Sequence, residues 1–303
     1  MTTGLCPRVT IVTPVFNQVD YVEETILSVI SQGYENLEYI IVDDGSTDGT
    51  SQVVSRYAEK CTVIHTENRG QSSALNLGWS VSDGDILGYL SGDDVLRENA
   101  ISELVSTLLN SEAIAVYCNY DIFDSEGRVV QLIEAPDWNF FDLNEKMICQ
   151  PGPGALFKKD AFLQVGGWDE SLKQVVDLEF WMRLSKLGDF VKTPKSLAKY
   201  RVHKDSASFR KISLDRCLEI NGVVKNNQAH RDLHFVNKRK AKANAHLLSC
   251  RYCLRSGYFF KGAQMFALSI FSFPAILFEL RFYRVAVGGP LKRLFVNFRL
   301  ISR

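Results

Sequence analysis

The sequence predicts an α/β fold in which a mostly parallel central sheet is flanked by helices and followed by a helical C-terminal extension. Two observations predict it. Short apolar runs rich in Val and Ile alternate with segments of helical periodicity over residues 9–109, and only helical patterns remain after residue 203. Parallel strands need a crossover between them, so the alternation predicts right-handed βαβ units.

The predicted strands are short runs of apolar and β-branched residues, at residues 9–12, 37–42, 62–66 and 86–90. The predicted helices show apolar residues at a spacing of three and four, and they are expected after residue 20 and at residues 50–59, 72–81 and 99–109. Asp20 and Glu23 have the spacing of a capping box at the start of the first helix. Residues 116–123 and 128–133 are expected to form a hairpin.

Length and charge predict two parts. The chain of 303 residues is long enough for one large domain, expected at residues 1–203, and an accessory part at residues 204–303. Residues 1–203 contain 16 Lys and Arg against 30 Asp and Glu, a net charge of −14. Residues 204–303 contain 19 against 5, a net charge of +14. Two interpretations stay open: the two parts pack together, or the basic extension faces an anionic surface such as a membrane.

Cysteine use and hydropathy predict a cytoplasmic protein, or one that is peripheral at the inner face of a membrane. The seven cysteines are scattered and odd in number, which argues against a disulfide framework and favours a reducing compartment. The N-terminus lacks the apolar core of a signal peptide. The most apolar segment, residues 265–278, is interrupted by Pro274 and is shorter than the ~20 residues that a spanning helix needs.

Two pairs of adjacent aspartates are the strongest functional signal. Asp43 and Asp44 follow one apolar run, and Asp93 and Asp94 come shortly after another. Adjacent carboxylates repel each other, so fold stability alone gives little reason for them. In open α/β sheets, ligands bind at the carboxyl ends of the strands. The pairs therefore predict a site for a metal-bound, negatively charged ligand; ordinary Asx turns and strand exits are the alternative.

The chain resembles the family two glycosyltransferases, which have the GT-A fold. The resemblance covers about residues 8–203 and rests on five segments in the family's order: VTPVFNQVDYVEETILSVISQGYENLEYIIVDDGSTDGT, ENRGQSSALNLG, LSGDD, GGWDESL and DLEFWMRL. It implies a hexosyltransferase that moves a sugar, with inversion, from a nucleotide diphosphate donor to a hydroxyl acceptor.

The resemblance also implies partners and a setting. A divalent metal, Mn or Mg, is expected as cofactor, and a UDP-linked sugar is the expected donor. The acceptor is expected to be a saccharide or a lipid-linked molecule in bacterial surface-polysaccharide assembly. No nucleic-acid partner is expected, and the basic, aromatic C-terminal helices are a candidate membrane contact.

For the nucleotide, the resemblance assigns residues at the ends of the first three predicted strands. Thr13 and Pro14 are expected against the nucleoside, and Asp44 is expected to bind the base, with Asp43 beside it in the donor site. Arg69 is expected to pair with phosphate. The alternatives are a strand terminator for Thr13 and Pro14, an Asx turn for the aspartates and a solvated loop charge for Arg69.

For the metal, the resemblance puts Asp93 near the ribose and Asp94 on the ion, with His203 near the metal or the diphosphate. His203 is alternatively structural. Many family members have an acid two positions before Asp93, where this chain has Ser91. The departure predicts a weak metal site without donor, and it supports an alternative function: a non-catalytic nucleotide-sugar-binding protein with the same fold.

For the transfer step, Asp177 matches the family's base position, and Glu179 is the alternate base or a hydrogen-bond partner of the sugar. A carboxylate within reach of the acceptor hydroxyl accepts its proton during attack. The alternative for Asp177 is a helix N-cap. Trp168 and Asp169 lie where the family contacts sugar hydroxyls, and Trp168 is alternatively a core residue.

Overall fold

The structure is a computed structural model, and it describes residues 6–203, 211–227 and 234–279. The described residues divide into two compact units. The first unit comprises residues up to 138 together with 150–170 and 184–206, and the second comprises residues 139–149, 171–183 and the chain from 207 onwards. The predicted domain boundary after residue 203 stays a prediction, since two segments before it lie in the second unit.

The strands of the described residues form one nine-stranded sheet in the first unit. In chain order they are β1 (Val9–Val15), β2 (Leu37–Asp43), β3 (Thr62–His65), β4 (Ile86–Tyr89), β5 (Val95–Leu96), β6 (Ala115–Asp124), β7 (Val129–Ile133), β8 (Leu156–Lys158) and β9 (Phe190–Val202). Their order across the sheet is β3-β2-β1-β4-β8-β6-β9-β5, and β7 pairs with β6.

The helices of the described residues are distributed over both units. In chain order they are α1 (Val22–Ile30), α2 (Thr50–Ser55), α3 (Gln71–Ser80), α4 (Ala100–Leu109), α5 (Phe140–Asn144), α6 (Lys159–Val165), α7 (Val176–Leu184), α8 (Leu214–Asn226), α9 (Phe235–Ser256), α10 (Phe259–Ser272) and a 3₁₀ helix (Pro274–Phe278).

The first four strands pair in parallel, as the βαβ alternation predicts. β1 lies between β2 and β4, so Val9 pairs with both Leu37 and Ile86. β2 pairs in parallel with β3. The predicted hairpin is confirmed as the antiparallel β6–β7 pair. Beyond β4 the sheet is mixed, because β8 pairs antiparallel with β4 and β6 while β9 runs parallel to β6.

The apolar faces of the strands and helices form the core of the first unit. All seven residues of β1 are buried, since the strand is central in the sheet. The core joins this strand to α1 and α4, whose buried side chains recur with helical spacing: Val22, Ile26, Val29, Ile101, Leu104, Val105 and Leu108. Burial of this surface fixes the register of the strands, and therefore which residues reach their carboxyl ends.

The predicted capping box is wrong. Helix α1 begins at Val22, and Tyr21 at its N-cap makes no side-chain cap hydrogen bond. Glu23 instead accepts a hydrogen bond from the Tyr57 hydroxyl at 2.8 Å and pairs with Arg56 at 3.3 Å. These partners follow α2 in the chain, so a tertiary contact replaces the local cap.

The second unit is helical in its described C-terminal part, as predicted, and Gly257 separates α9 from α10. Its φ of 93° is left-handed, a conformation that glycine adopts at helix C-termini. One small core contains Ala243, Leu247 and Ile276. Another contains Ile212, Cys217 and Cys253, and these cysteines, like the other five, are free thiols.

Among the described residues, no helix combines the length and hydropathy needed to cross a bilayer. The predicted basic extension falls partly on residues 204–210, 228–233 and 280–303, which lie outside the described residues. The membrane contact of that extension stays a prediction.

Candidate active site

The ends of β1 and β2 hold the first group of predicted site residues. Thr13 and Pro14 are both buried within β1, next to Ile41 and Val42 of β2. The Thr13 hydroxyl oxygen accepts a hydrogen bond from the Tyr39 hydroxyl at 3.0 Å. The Thr13 side chain is therefore already engaged inside the sheet.

Asp43, the last residue of β2, is buried and surrounded by donors. Its carboxylate accepts hydrogen bonds from the Ser46 N–H at 3.1 Å and from the Ser51 hydroxyl, and His65 Nδ1 lies 3.0 Å away. Burial alone would raise the pKa of Asp43, but these hydrogen bonds outweigh it and hold the pKa below its ordinary value. Asp43 is thus an ionised anchor for the loop that leads into α2.

Asp44 holds the loop between β3 and α3. Its two carboxylate oxygens accept the backbone N–H groups of Arg69 at 2.8 Å and Gly70 at 2.7 Å. Both the Asx-turn alternative and the base-binding hypothesis place Asp44 at this strand end. In this structure the carboxylate fixes a loop that comes from 25 residues further along the chain.

Gly45 allows the two loops to approach each other. Its φ is +77°, and a Cβ atom on it would lie 2.8 Å from the Asn68 backbone nitrogen. Arg69 follows in the same loop with an exposed side chain that forms no ion pair within the described residues. The residues that line the adjacent cavity include Thr66, Arg69 and Ser73. A cation is thereby presented beside a concave surface that has both polar and apolar lining residues.

The turn after β4 brings together Asp93, Asp94 and His203. His203 Nε2 lies 3.0 Å from Asp93 Oδ2, and the His203 ring packs against Tyr21 with ring centroids 4.8 Å apart. Asp94 is 3% exposed, and its Oδ1 accepts the Arg201 backbone N–H at 2.9 Å. Residues predicted at the metal and the ribose therefore share one cluster.

Arg201 is a site residue that sequence reasoning missed. Its side chain is 3% exposed, its Nε donates to the Asp93 carbonyl at 2.9 Å, and its guanidinium pairs with Glu24 of α1. The guanidinium also lies over the rings of Phe123 at 4.2 Å and Tyr21 at 4.8 Å. The only local signal is its position two residues before His203, and its partners are more than 70 residues away.

The electrostatics of Asp94 favour a cation. Burial raises the pKa of Asp94 well above its usual range, and the negative charge of Asp93 adds to this, while Arg201 acts in the opposite direction. Within the described residues, the second oxygen of Asp94 accepts no hydrogen bond. A hard cation prefers such oxygen ligands. The residues present therefore fit Mn²⁺ or Mg²⁺.

The described residues would supply only part of the coordination shell of such an ion. Among the described residues, no three His, Cys, Asp or Glu side chains are arranged to hold a metal ion by themselves. Ser91, at the position of the missing acid, contributes its carbonyl to the Asp94 N–H at 3.0 Å. Oxygens from another molecule would have to complete the coordination of an ion held by Asp94 and His203.

Trp168 and Asp169 follow α6 in the first unit. Trp168 is buried, with ring contacts to Tyr89 at 5.1 Å and Trp79 at 6.2 Å. The Asn76 side chain of α3 donates a hydrogen bond to the Trp168 carbonyl and accepts one from the Trp168 N–H, both at 2.8 Å. Within the described residues, the Trp168 indole N–H has no acceptor, and Asp169 is exposed. A core role is evident for the Trp168 ring, and its buried indole N–H is left without a partner among the described residues.

Asp177 lies in the first turn of α7, in the second unit. Its carboxylate accepts the Leu178 N–H at 2.8 Å, and Cys149 and Tyr252 lie near enough to interact with its charge. Burial raises the pKa of Asp177, although backbone hydrogen bonds partly oppose the shift. A carboxylate with a raised pKa is the better proton acceptor, as a general base requires.

Glu179 is engaged in a different way. Its two carboxylate oxygens accept hydrogen bonds from Arg183 Nε at 2.7 Å and from a terminal Arg183 nitrogen at 2.8 Å. This bidentate pair connects adjacent turns of α7, since the residues are four apart. The arrangement favours a supporting role for Glu179 over proton transfer.

Comparison with known proteins identifies the family. The family model described as Glycosyl transferase family 2 matches residues 10–166. The chain belongs to glycosyl transferase family 2. This chain is 32% identical to an uncharacterized glycosyltransferase of Rickettsia prowazekii (strain Madrid E). The alignment covers 207 residues, which is 65% of this chain. The aligned region spans 64% of that relative's own length.

Solved structures confirm the GT-A fold with its helical C-terminal extension. The crystal structure of S. aureus TarS 1–349 in complex with UDP-GlcNAc has a TM-score of 0.62 at 14% identity, covering 92% of this chain and 81% of that chain. The mannosyltransferase PcManGT from Pyrobaculum calidifontis, in complex with GDP-Man and Mn²⁺, has a TM-score of 0.59 at 20% identity. It covers 98% of this chain and 83% of that chain.

The Arg201 contacts generate a stability prediction. We expect Arg201→Lys to lower the free energy of unfolding by about 1.5–3 kcal/mol, the usual value of hydrogen bonds to charged groups. A single ammonium group cannot reproduce the planar fork that reaches both Glu24 and the Asp93 carbonyl. Urea unfolding measures the change.

The matched control is Arg56→Lys, because Arg56 pairs with the neighbouring Glu23 of α1 but is 60% exposed. An exposed pair contributes about 0–1 kcal/mol, so this control should be close to wild type. Equal destabilisation by the two substitutions would contradict the role assigned to Arg201.

Proposed function

We propose that the chain is an inverting, metal-dependent glycosyltransferase that transfers a sugar from a nucleotide diphosphate donor to a hydroxyl acceptor. The observation that carries the proposal is the cluster of Asp93, Asp94 and His203 at the end of β4, in a chain of glycosyl transferase family 2. Its buried carboxylate with a raised pKa and an oxygen free of hydrogen bonds suits a cation that travels with a diphosphate.

The donor is proposed to be a UDP-linked sugar. TarS is named in complex with UDP-GlcNAc and PcManGT in complex with GDP-Man and Mn²⁺, so structural neighbours of this chain bind such donors. In this chain, Thr13, Pro14, Asp43 and Asp44 would form the nucleoside end of the site, and the exposed Arg69 would pair with phosphate. Trp168 and Asp169 would contact the sugar.

Asp94 and His203 would hold the divalent metal, and Asp93 would contact the ribose. When bound, the metal neutralises the charge that develops on the departing nucleoside diphosphate. Ionised Asp94 gains a favourable partner in this arrangement, because a cation offsets the burial that raises its pKa.

Asp177 is proposed as the general base. It would accept the proton of the acceptor hydroxyl while that oxygen attacks the anomeric carbon, and a single displacement of this kind inverts the configuration. Its raised pKa supports this role, and the Arg183 pair makes Glu179 the weaker candidate. The family resemblance supports a saccharide or lipid-linked acceptor in bacterial surface-polysaccharide assembly.

A second candidate function is a non-catalytic nucleotide-sugar-binding protein. Ser91 in place of an acid is the observation that favours it, because the loss leaves Asp94 as the acidic ligand. The two candidates differ in turnover. A binding protein leaves the donor unchanged, whereas a transferase slowly transfers the sugar to water and releases nucleoside diphosphate even without its acceptor.

A donor panel tests the proposal. UDP-, GDP- and dTDP-sugars with Mn²⁺ are first compared by thermal shift, and release of nucleoside diphosphate is then measured with the sugar that stabilises the protein most. We expect stabilisation that requires both metal and donor, followed by slow donor hydrolysis. Donor binding without any release favours the binding protein, and no stabilisation by any sugar contradicts both.

Asp94→Asn tests the metal assignment. The Asn side-chain oxygen can still accept the Arg201 N–H, so the turn should persist while the charged ligand is lost. We expect calorimetry to show that the Mn²⁺-dependent part of donor binding disappears. Asp83→Asn is the control, because Asp83 is a 73% exposed surface acid, and it should keep full metal dependence. Unchanged Mn²⁺ dependence in Asp94→Asn would overturn the assignment.

Asp177→Asn tests the base. We expect turnover to fall by ~10²–10⁴, the usual size of a general-base contribution, while donor affinity stays within a few-fold. Because the base acts only when ionised, wild-type turnover should fall as pH drops through the Asp177 pKa. That pKa is raised, so the acid limb should lie above the ordinary aspartate range, and Asp177→Asn should lack it. A loss of donor affinity of the same size would make Asp177 a binding or folding residue.

A further inference from the structure

Glu219 of α8 makes an unusual contact with the segment that leads into α7. Its carboxylate accepts three consecutive backbone N–H groups, those of Lys173 and Gln174 at 2.6 Å and that of Val175 at 3.0 Å. All of these residues belong to the second unit. A side chain from the predicted C-terminal extension is therefore bonded to a segment from the predicted catalytic domain.

The contact sits at the start of the helix that carries the proposed base. Helix α7 begins at Val176, and the Val175 carbonyl already accepts the Glu179 N–H at 3.0 Å. The first N–H groups of a helix have no partner within the helix, and negative charge is favourable there. Glu219 thus places a carboxylate on the three residues that lead into α7, from 44 to 46 residues away along the chain.

A second helix of the extension reaches the same place. Tyr252 of α9 lies beside the Gln174 side chain and close enough to Asp177 to interact with its charge. Two contacts from α8 and α9 therefore converge on the residues just before α7 and on Asp177 itself. The first turn of α7 is held from outside the helix, where a shift of the backbone would move the Asp177 carboxylate directly.

We propose that Glu219 is a positioning residue for the transfer reaction, which fixes the entrance of α7 and thereby the place and orientation of the Asp177 carboxylate. The inference rests on the proposed function, in which Asp177 is the general base. Glu219 touches neither donor nor acceptor in this scheme, so its loss should affect the proton-transfer step and leave donor binding in place.

The test compares Glu219→Gln with Asp215→Asn in the full chain. Gln offers one oxygen and turns an NH₂ group towards backbone donors, so the three-amide contact is broken. Asp215 is an exposed acid one turn earlier in α8, and its replacement removes the same charge. We expect Glu219→Gln to lower kcat about 10- to 100-fold, the scale of a misplacement near 1 Å.

Four further readouts separate positioning from general stability. In Glu219→Gln, the Mn²⁺-dependent donor affinity and the donor KM should stay within about two-fold, and the acid limb of the pH–rate profile should move because Asp177 has a new environment. Glu219→Asp, which keeps the charge on a shorter side chain, should restore part of kcat. Asp215→Asn should equal wild type in all of these measurements.

The outcomes also distinguish this inference from the proposed function. Absence of turnover in the wild type, or full turnover in Asp177→Asn, defeats the proposed function itself. Loss of turnover in Asp177→Asn with wild-type kcat and pH profile in Glu219→Gln defeats only the role of Glu219. If Glu219→Gln does not fold, Glu219→Asp decides: kcat lowered at constant donor KM supports positioning, and a parallel loss of kcat, donor affinity and melting temperature overturns it.

Discussion

Buried carboxylates at the ends of parallel strands must find hydrogen-bond donors or a cation, and this requirement organises the first unit. An ionised group without partners in the interior costs several kcal/mol. Asp43, Asp44 and Asp94 are each at most 3% exposed. Asp43 and Asp44 are satisfied by donors from later in the chain, whereas Asp94 keeps an oxygen without a hydrogen bond within the described residues.

This difference separates the acids whose charge the protein itself satisfies from the acid that suits a metal. The hydrogen bonds to Asp43 hold its pKa below the ordinary value, so its charge is stable without any ligand. The pKa of Asp94 is raised, because burial and Asp93 together exceed the effect of Arg201. A protein that only needed to close a turn would gain nothing from a buried aspartate with a raised pKa, as at Asp94. A bound cation, in contrast, restores the balance of charge.

The parts of the fold that depend on local pattern were predictable. The four parallel strands and the hairpin were found because apolar runs and their spacing report burial directly. Helix α2 was expected at residues 50–59 but ends at Ser55. After it, the N–H groups of Arg56, Tyr57 and Ala58 bond to carbonyls three residues earlier, so the helix tightens into turns that periodicity does not reveal.

The site was predictable only where its residues are adjacent in sequence. The aspartate pairs are visible as pairs, and they led to the metal hypothesis. The contact between Arg201 and Asp94 joins residues 107 apart, and the contact between Glu219 and Val175 joins residues 44 apart. The sequence around one partner does not predict the other, because such contacts depend on how strands and helices pack and not on local spacing.

Asp177 and Glu179, the two candidate bases, leave α7 in nearly opposite directions. Asp177 and Glu179 are two residues apart, and each residue of an α-helix advances by about 100°, so their side chains leave α7 about 200° apart. They cannot both approach one acceptor hydroxyl from the same helix face. Glu179 is committed to Arg183, whereas Asp177 is bonded to the backbone of its own first turn. At most one of the two can therefore face the acceptor, and the bidentate pair with Arg183 favours Asp177 as the proposed base.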